Sequence, residues 1–94
     1  MASKSPDKVF DELLVMQYLT GDRKAFELLI KRWNPKILIY AYRNINNKVG
    51  AEDVAQDVWL AALKGIHRLH DHTKLGSWLL GITVSIRATT SVNK

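Results

Sequence analysis

The sequence predicts an all-α chain, a single small domain of four helices, of which the second is long and contains Pro35. Three observations carry that expectation. Apolar residues recur at steps of three and four along four separate stretches, which places them on one side of a 3.6-residue turn. Strict alternation of polar and apolar residues is missing, and the β-branched run Ile82-Thr-Val-Ser-Ile86 lies inside a longer helical pattern. The breaks between stretches, at Thr20-Gly21-Asp22, Asn44–Lys48 and Arg68–Lys74, are rich in residues that end or cap helices.

The first helix opens at Ser5-Pro6-Asp7, with a capping hydroxyl, proline at the first helical position and a carboxylate in the first turn. Val9, Phe10, Leu13, Leu14 and Tyr18 form its apolar stripe. Gly21 is suited to positive φ, and Asp22 to capping the next helix. In that second helix Phe26, Leu29, Ile30, Trp33, Ile37, Tyr40 and Ala41 keep one phase across Pro35. Proline costs a helix interior roughly 3 kcal/mol, but the unbroken phase predicts one kinked helix. A third helix is expected from about Ala51 to Ile66. The polar loop Arg68–Lys74 follows, with Thr73 as cap for a final amphipathic helix on Leu75, Trp78, Leu79, Ile82 and Ile86. Residues 6–92 form the structured part of a domain spanning 1–94, and 93–94 form a tail or the start of a linker.

Composition excludes several classes of function. No stretch reaches the run of about 18 apolar residues that a membrane span needs, and the polar N-terminus lacks a secretion signal's apolar core. Zero cysteines exclude disulfides, thiolate metal sites and cysteine nucleophiles together. The expected location is cytoplasmic. A net charge of +5 points to an acidic partner, nucleic acid being the commonest. The charge is uneven along the chain. Residues 1–47 hold eight Lys/Arg against five Asp/Glu, 48–65 hold two against three, and 66–94 hold four against one. An acidic segment thus lies between two basic ones.

That acidic segment, Gly50–Lys64, carries the clearest candidate surface. Val54, Val58, Ala61, Ala62 and Gly65 give a narrow packing face. Glu52 and Asp53 fall in the expected first turn, where the helix dipole favours negative charge. Asp53, Gln56 and Asp57, at i, i+3 and i+4, share a second face, which is either a docking surface or ordinary solvated helix. Trp59 lies off the packing face, as a core residue or as a contact for a protein partner. His67, His70 and His72 with Asp71 match no metal motif and read as a solvated polar cluster. No glycine-rich phosphate loop or nucleophile–base pattern occurs, so neither an enzyme nor a cofactor is expected.

Four strings, taken together and in order, resemble the second conserved region of extracytoplasmic-function (ECF) RNA polymerase sigma factors. They are Asp11-Glu-Leu-Leu with Gly21-Asp22-x-x-Ala25-Phe26-Glu27-x-Leu29; Trp33-x-Pro35, similar to the family's Tyr-x-Pro; Ala51-Glu-Asp-Val-x-Gln56-Asp57; and Leu75-x-x-Trp78-Leu79-x-x-Ile82. The resemblance covers roughly residues 8–92. It implies a transcription-initiation domain that docks on the clamp helices of the polymerase β′ subunit and recognises and melts the −10 promoter element. An anti-sigma factor is implied as a further partner, and a second, −35-reading domain is implied beyond this region.

Carried over residue by residue, the resemblance gives the polymerase-docking surface to Asp53, Gln56 and Asp57, with Glu52 and Trp59 beside them. Leu69–Trp78 corresponds to the part that takes up a flipped base, and 79–92 to the DNA-reading helix. The DNA-facing candidates are therefore Arg68, His70, His72, Thr73, Lys74, Ser77, Ser85, Arg87 and Thr89, with Thr83 and Thr90 as further hydrogen-bonding residues. Lys31, Arg32, Lys36 and Arg43 are expected to face the same DNA. Where the family usually has a basic residue, asparagine, aspartate and arginine, this chain has Val84, Ser85, Thr89 and Val92. Those departures keep open the alternative of a sigma mimic that sequesters an anti-sigma factor without reading DNA; with the resemblance set aside, the alternative is a helical protein-interaction domain.

Overall fold

The structure, a computed structural model, describes the backbone of residues 6–92 and the side chains of residues 8–86. It is helical throughout, in the order α1 (Pro6–Leu19), α2 (Arg23–Ile45), α3 (Lys48–Gly65), two short 3₁₀ turns at Ile66–Arg68 and His72–Lys74, and α4 (Leu75–Val92). No strand forms among the described residues. The expectation of four helices holds. Ser5, its expected cap, lies outside the described residues.

The helix ends follow from local chemistry. α1 closes on Gly21 at φ 114°, which lets Asp22 N–H reach the Gln17 carbonyl at 2.9 Å. Asp22 then caps α2 by accepting the Lys24 N–H at 3.0 Å. α2 runs unbroken through Pro35. It ends at Asn46, whose φ of 58° is the left-handed conformation that asparagine tolerates best after glycine.

Two boundaries differ from the sequence reading. α3 starts at Lys48 and not near Ala51, because Asn47 caps it by accepting the Gly50 N–H at 2.9 Å. Glu52 and Asp53 consequently lie beyond the first turn, which has no acidic residue. Before α4, Thr73 is not at the expected cap position: it lies inside the His72–Lys74 turn, which Asp71 caps by accepting the Thr73 N–H at 3.1 Å.

α2 is the shared packing element and contacts each of the other helices. Leu29, Ile37 and Ala41 of α2 meet Leu14 and Val15 of α1, Val54, Val58 and Ala62 of α3, and Leu75 and Leu79 of α4. Full burial of side chains such as Ile37 and Leu79 stabilises the fold by about 1.5–3 kcal/mol each. The buried set on α3 adds Ala51 and Ala55, while Ala61 is only half-buried.

Candidate functional site

With Val54, Ala55, Val58 and Ala62 turned into the core, the opposite side of α3 carries Glu52, Asp53, Gln56, Asp57 and Leu60, all exposed. The exposure follows from helical geometry, since side chains three and four apart stack on one face. Trp59 sits at the border of this face. Its indole N–H donates to Asn34 Oδ1 at 2.9 Å, and its ring meets Phe26 edge-on at 6.0 Å. Half-buried in this way, Trp59 is a fixed wall of a shallow cleft shared with Gln56, Glu52 and Leu38.

The second surface is a cavity of about 370 Å³ lined from α1, α2, the His72–Lys74 turn and the start of α4. His72, Thr73 and Ser77 line it. So do Trp33 and Lys36, which are near neighbours because they stand three residues apart on α2. The Lys36 ammonium lies 4.6 Å from the Trp33 ring centre, a cation–π arrangement. Lys8 and Asp11 close the α1 side, and Leu75, Gly76 and Leu80 the α4 side. No residue of α3 takes part in it.

Gly76 explains how the indole fits. A Cβ built there would stand 2.6 Å from Cη2 of Trp33, inside van der Waals contact, so the ring lies directly on the α4 backbone. Trp33 belonged to the core stripe in the sequence, and it does pack on the core. It is nevertheless also the aromatic wall of the cavity. Trp78 packs on the core and faces Gly65, and it lines a different groove with Ala61, Gly81, Ile82 and Ser85.

The DNA-facing candidates therefore divide. His72, Thr73 and Ser77 gather at the cavity, whereas Arg68, His70 and Lys74 are exposed and do not line it. Ser85 lies on the other groove, and the side chains of Arg87, Thr89 and Thr90 lie outside the described ones. Thr83 is a correction: it is fully buried and its hydroxyl donates to the Leu79 carbonyl at 2.8 Å, so it has no access to a phosphate or base. Arg32 is also redirected from solvent. Its Nε–H donates to Asp11 Oδ1 at 2.7 Å and its guanidinium lies 4.8 Å from the Phe10 ring centre. Lys31, Lys36 and Arg43 remain exposed along α2.

Asp11 and Lys8 were missed as cavity residues because nothing local distinguishes them. A signal for the cavity did exist in Gly76. A glycine in the first turn of an amphipathic helix leaves room for a close approach, and the aromatic residue that fills it comes from 43 positions earlier.

Comparison with known proteins gives a consistent result. The profile of the sigma-70 region 2 family matches residues 29–86. The chain is 29% identical to the RNA polymerase sigma-H factor of Pseudomonas aeruginosa over 80% of its own length and 39% of that protein's. It is 29% identical to the ECF RNA polymerase sigma factor SigW of Bacillus subtilis over 77% and 38%. With the ECF RNA polymerase sigma-E factor of Haemophilus influenzae the identity is 30%, over 84% and 41%. The chain thus spans about two-fifths of the length of these relatives.

Proposed function

Because the chain belongs to the sigma-70 region 2 family, we propose that it acts in transcription initiation as a sigma-factor domain, a binding module and not an enzyme. In this reading it docks on the clamp helices of the polymerase β′ subunit through α3. It takes up the −10 promoter element at the cavity between α1, α2 and α4. The observation that supports both halves is their separation. The acidic α3 face and the lysine-bordered cavity share no residue, so both partners have room to bind at once. Its place of work on this reading is the cytoplasm, and no helix of the described residues is long and apolar enough to cross a membrane.

The docking face has the composition such a contact needs. Asp53, Gln56 and Asp57 offer acceptors and charge for steering, and Leu60 supplies exposed apolar area beside them. An anti-sigma factor covering the same face would compete for it. At the cavity, an unpaired base would stack on Trp33 while Lys36 and the exposed cations of the turns meet the phosphates. His72, Thr73 and Ser77 supply hydrogen bonds at the cavity lining.

The docking assignment is tested with Asp57→Arg. The exposed position leaves folding intact, and binding to the isolated clamp-helix segment is expected to be abolished. Unchanged affinity would sink it. A second reading, the sigma mimic, is favoured by one observation: from Leu75 to Ile86, α4 carries no charged residue. Fluorescence anisotropy with single-stranded −10 oligonucleotides at two salt concentrations separates the two, since a mimic shows no salt-dependent binding.

A further inference from the structure

One group at the cavity has no part in stacking or phosphate contact. Asp11 lines the cavity from α1 yet is only 5% exposed, and its Oδ1 accepts the Arg32 Nε–H at 2.7 Å. Arg32 is itself held over the Phe10 ring. The pair therefore fixes the carboxylate in place while using one of its lone-pair positions. A carboxylate facing a guanidinium is an acceptor only, with about four such positions over its two oxygens. The result is a fixed acceptor edge on the lining of a cavity whose wall is an indole.

We propose that Asp11 is the specificity-determining residue for the base that enters this cavity, accepting a hydrogen bond from an exocyclic amine and so favouring cytosine or adenine over thymine. The inference rests on the cavity being the base site. Its chemistry is that of the carboxylate–cytosine pair, in which an acidic side chain accepts from N4. Thymine and uracil present a carbonyl at that ring position. At that position two acceptors would then face each other with no proton between them, one of them a carboxylate only 5% exposed. α1, which has no part in the DNA-facing set read from the sequence, thereby acquires a role in base choice.

The test uses the whole 94-residue chain and fluorescently labelled d(C)8 and d(U)8, which differ only at C4, an amine in cytosine and a carbonyl in uracil, and at N3, which carries a proton in uracil alone. The wild-type chain is expected to bind d(C)8 roughly fivefold or more tightly than d(U)8. In Asp11→Asn, whose side-chain oxygen still accepts from Arg32 and whose amide also donates, that ratio is expected to fall at least about threefold. Equal wild-type affinities, or a ratio that survives Asp11→Asn, overturns the inference. Should Asp11→Asn not fold by circular dichroism, an octamer of 2-pyrimidinone nucleotides, lacking the amine, decides with wild-type protein alone. Binding as tight as that of d(C)8 refutes amine reading, and weaker binding supports it. Ser77→Trp, a bulky residue at an exposed cavity position, tests the underlying reading separately. If it leaves both oligonucleotides bound as before, the cavity is not the base site; if it blocks both while Asp11→Asn keeps the preference, only the role of Asp11 falls. Failure of every oligonucleotide to bind removes both.

Discussion

Replacing Gly76 with alanine sets two opposing effects against each other. Alanine is favoured over glycine in a helix by about 0.5–1 kcal/mol, and by less in the first turn, where Gly76 lies. Against that, its methyl would sit 2.6 Å from Cη2 and 3.2 Å from Cζ2 of Trp33. The indole is a rigid plate packed on the core and against Lys36, so relief requires the whole ring to move. Overpacking of this kind costs about 1–3 kcal/mol, and the net expectation is destabilisation by about 0.5–2 kcal/mol. Gly81 in the same helix is the control. A Cβ there meets nothing within 4 Å, so Gly81→Ala should stabilise by about 0.5–1 kcal/mol. Urea unfolding followed by circular dichroism measures both, and at about 4–8 °C per kcal/mol for a domain of this size the two melting temperatures should separate clearly. Near-ultraviolet circular dichroism should change for Gly76→Ala alone. If Gly76→Ala is as stabilising as Gly81→Ala, Trp33 does not rest on the α4 backbone and the aromatic wall of the cavity is lost as an argument.

Two further substitutions test the frame around the sites. Thr83→Val should be neutral or stabilising by up to about 1 kcal/mol, because the Leu79 carbonyl keeps its helical partner and a buried hydroxyl is exchanged for a methyl. It should leave single-stranded DNA binding unchanged; lost binding would contradict the buried placement. Asn47→Ala removes the cap of α3 and should cost about 0.5–2 kcal/mol in thermal or urea unfolding. A cost below about 0.3 kcal/mol would mean that the Gly50 N–H finds water as good a partner.

What the chain disclosed about itself depended on the range of the forces involved. Gly21 and Asp22 were legible because their conformation and hydrogen bonds are settled within five residues. The start of α3 was misplaced because Asn44, Asn46 and Asn47 all have the chemistry of a cap or a turn. Choosing among them takes a third dimension: Asn46 ends one helix, Asn47 begins the next, and Gly50 closes to within 3.1 Å of Ile45 for a Cβ built on it. Asp57 was legible as exposed, since the apolar phase of α3 leaves it nowhere else to point. Thr83 was not, because a threonine on a helix looks the same in sequence whether its hydroxyl turns to solvent or to the carbonyl four residues back. Trp33, Lys36, His72 and Ser77 belong to three elements brought together only by packing, and only the glycine opposite the indole hinted at it.

Trp33 and Asn34 are consecutive residues that answer to different surfaces: Trp33 walls the cavity, and Asn34 accepts the indole proton of Trp59 beside the acidic face of α3. Pro35 comes next. Having no amide hydrogen, it leaves the α2 ladder without one rung at the turn where these two residues sit. A helix missing a rung bends there at lower cost than elsewhere along its length. Any bend that α2 takes at this turn would move Trp33 and Asn34 together, since they are adjacent on its backbone.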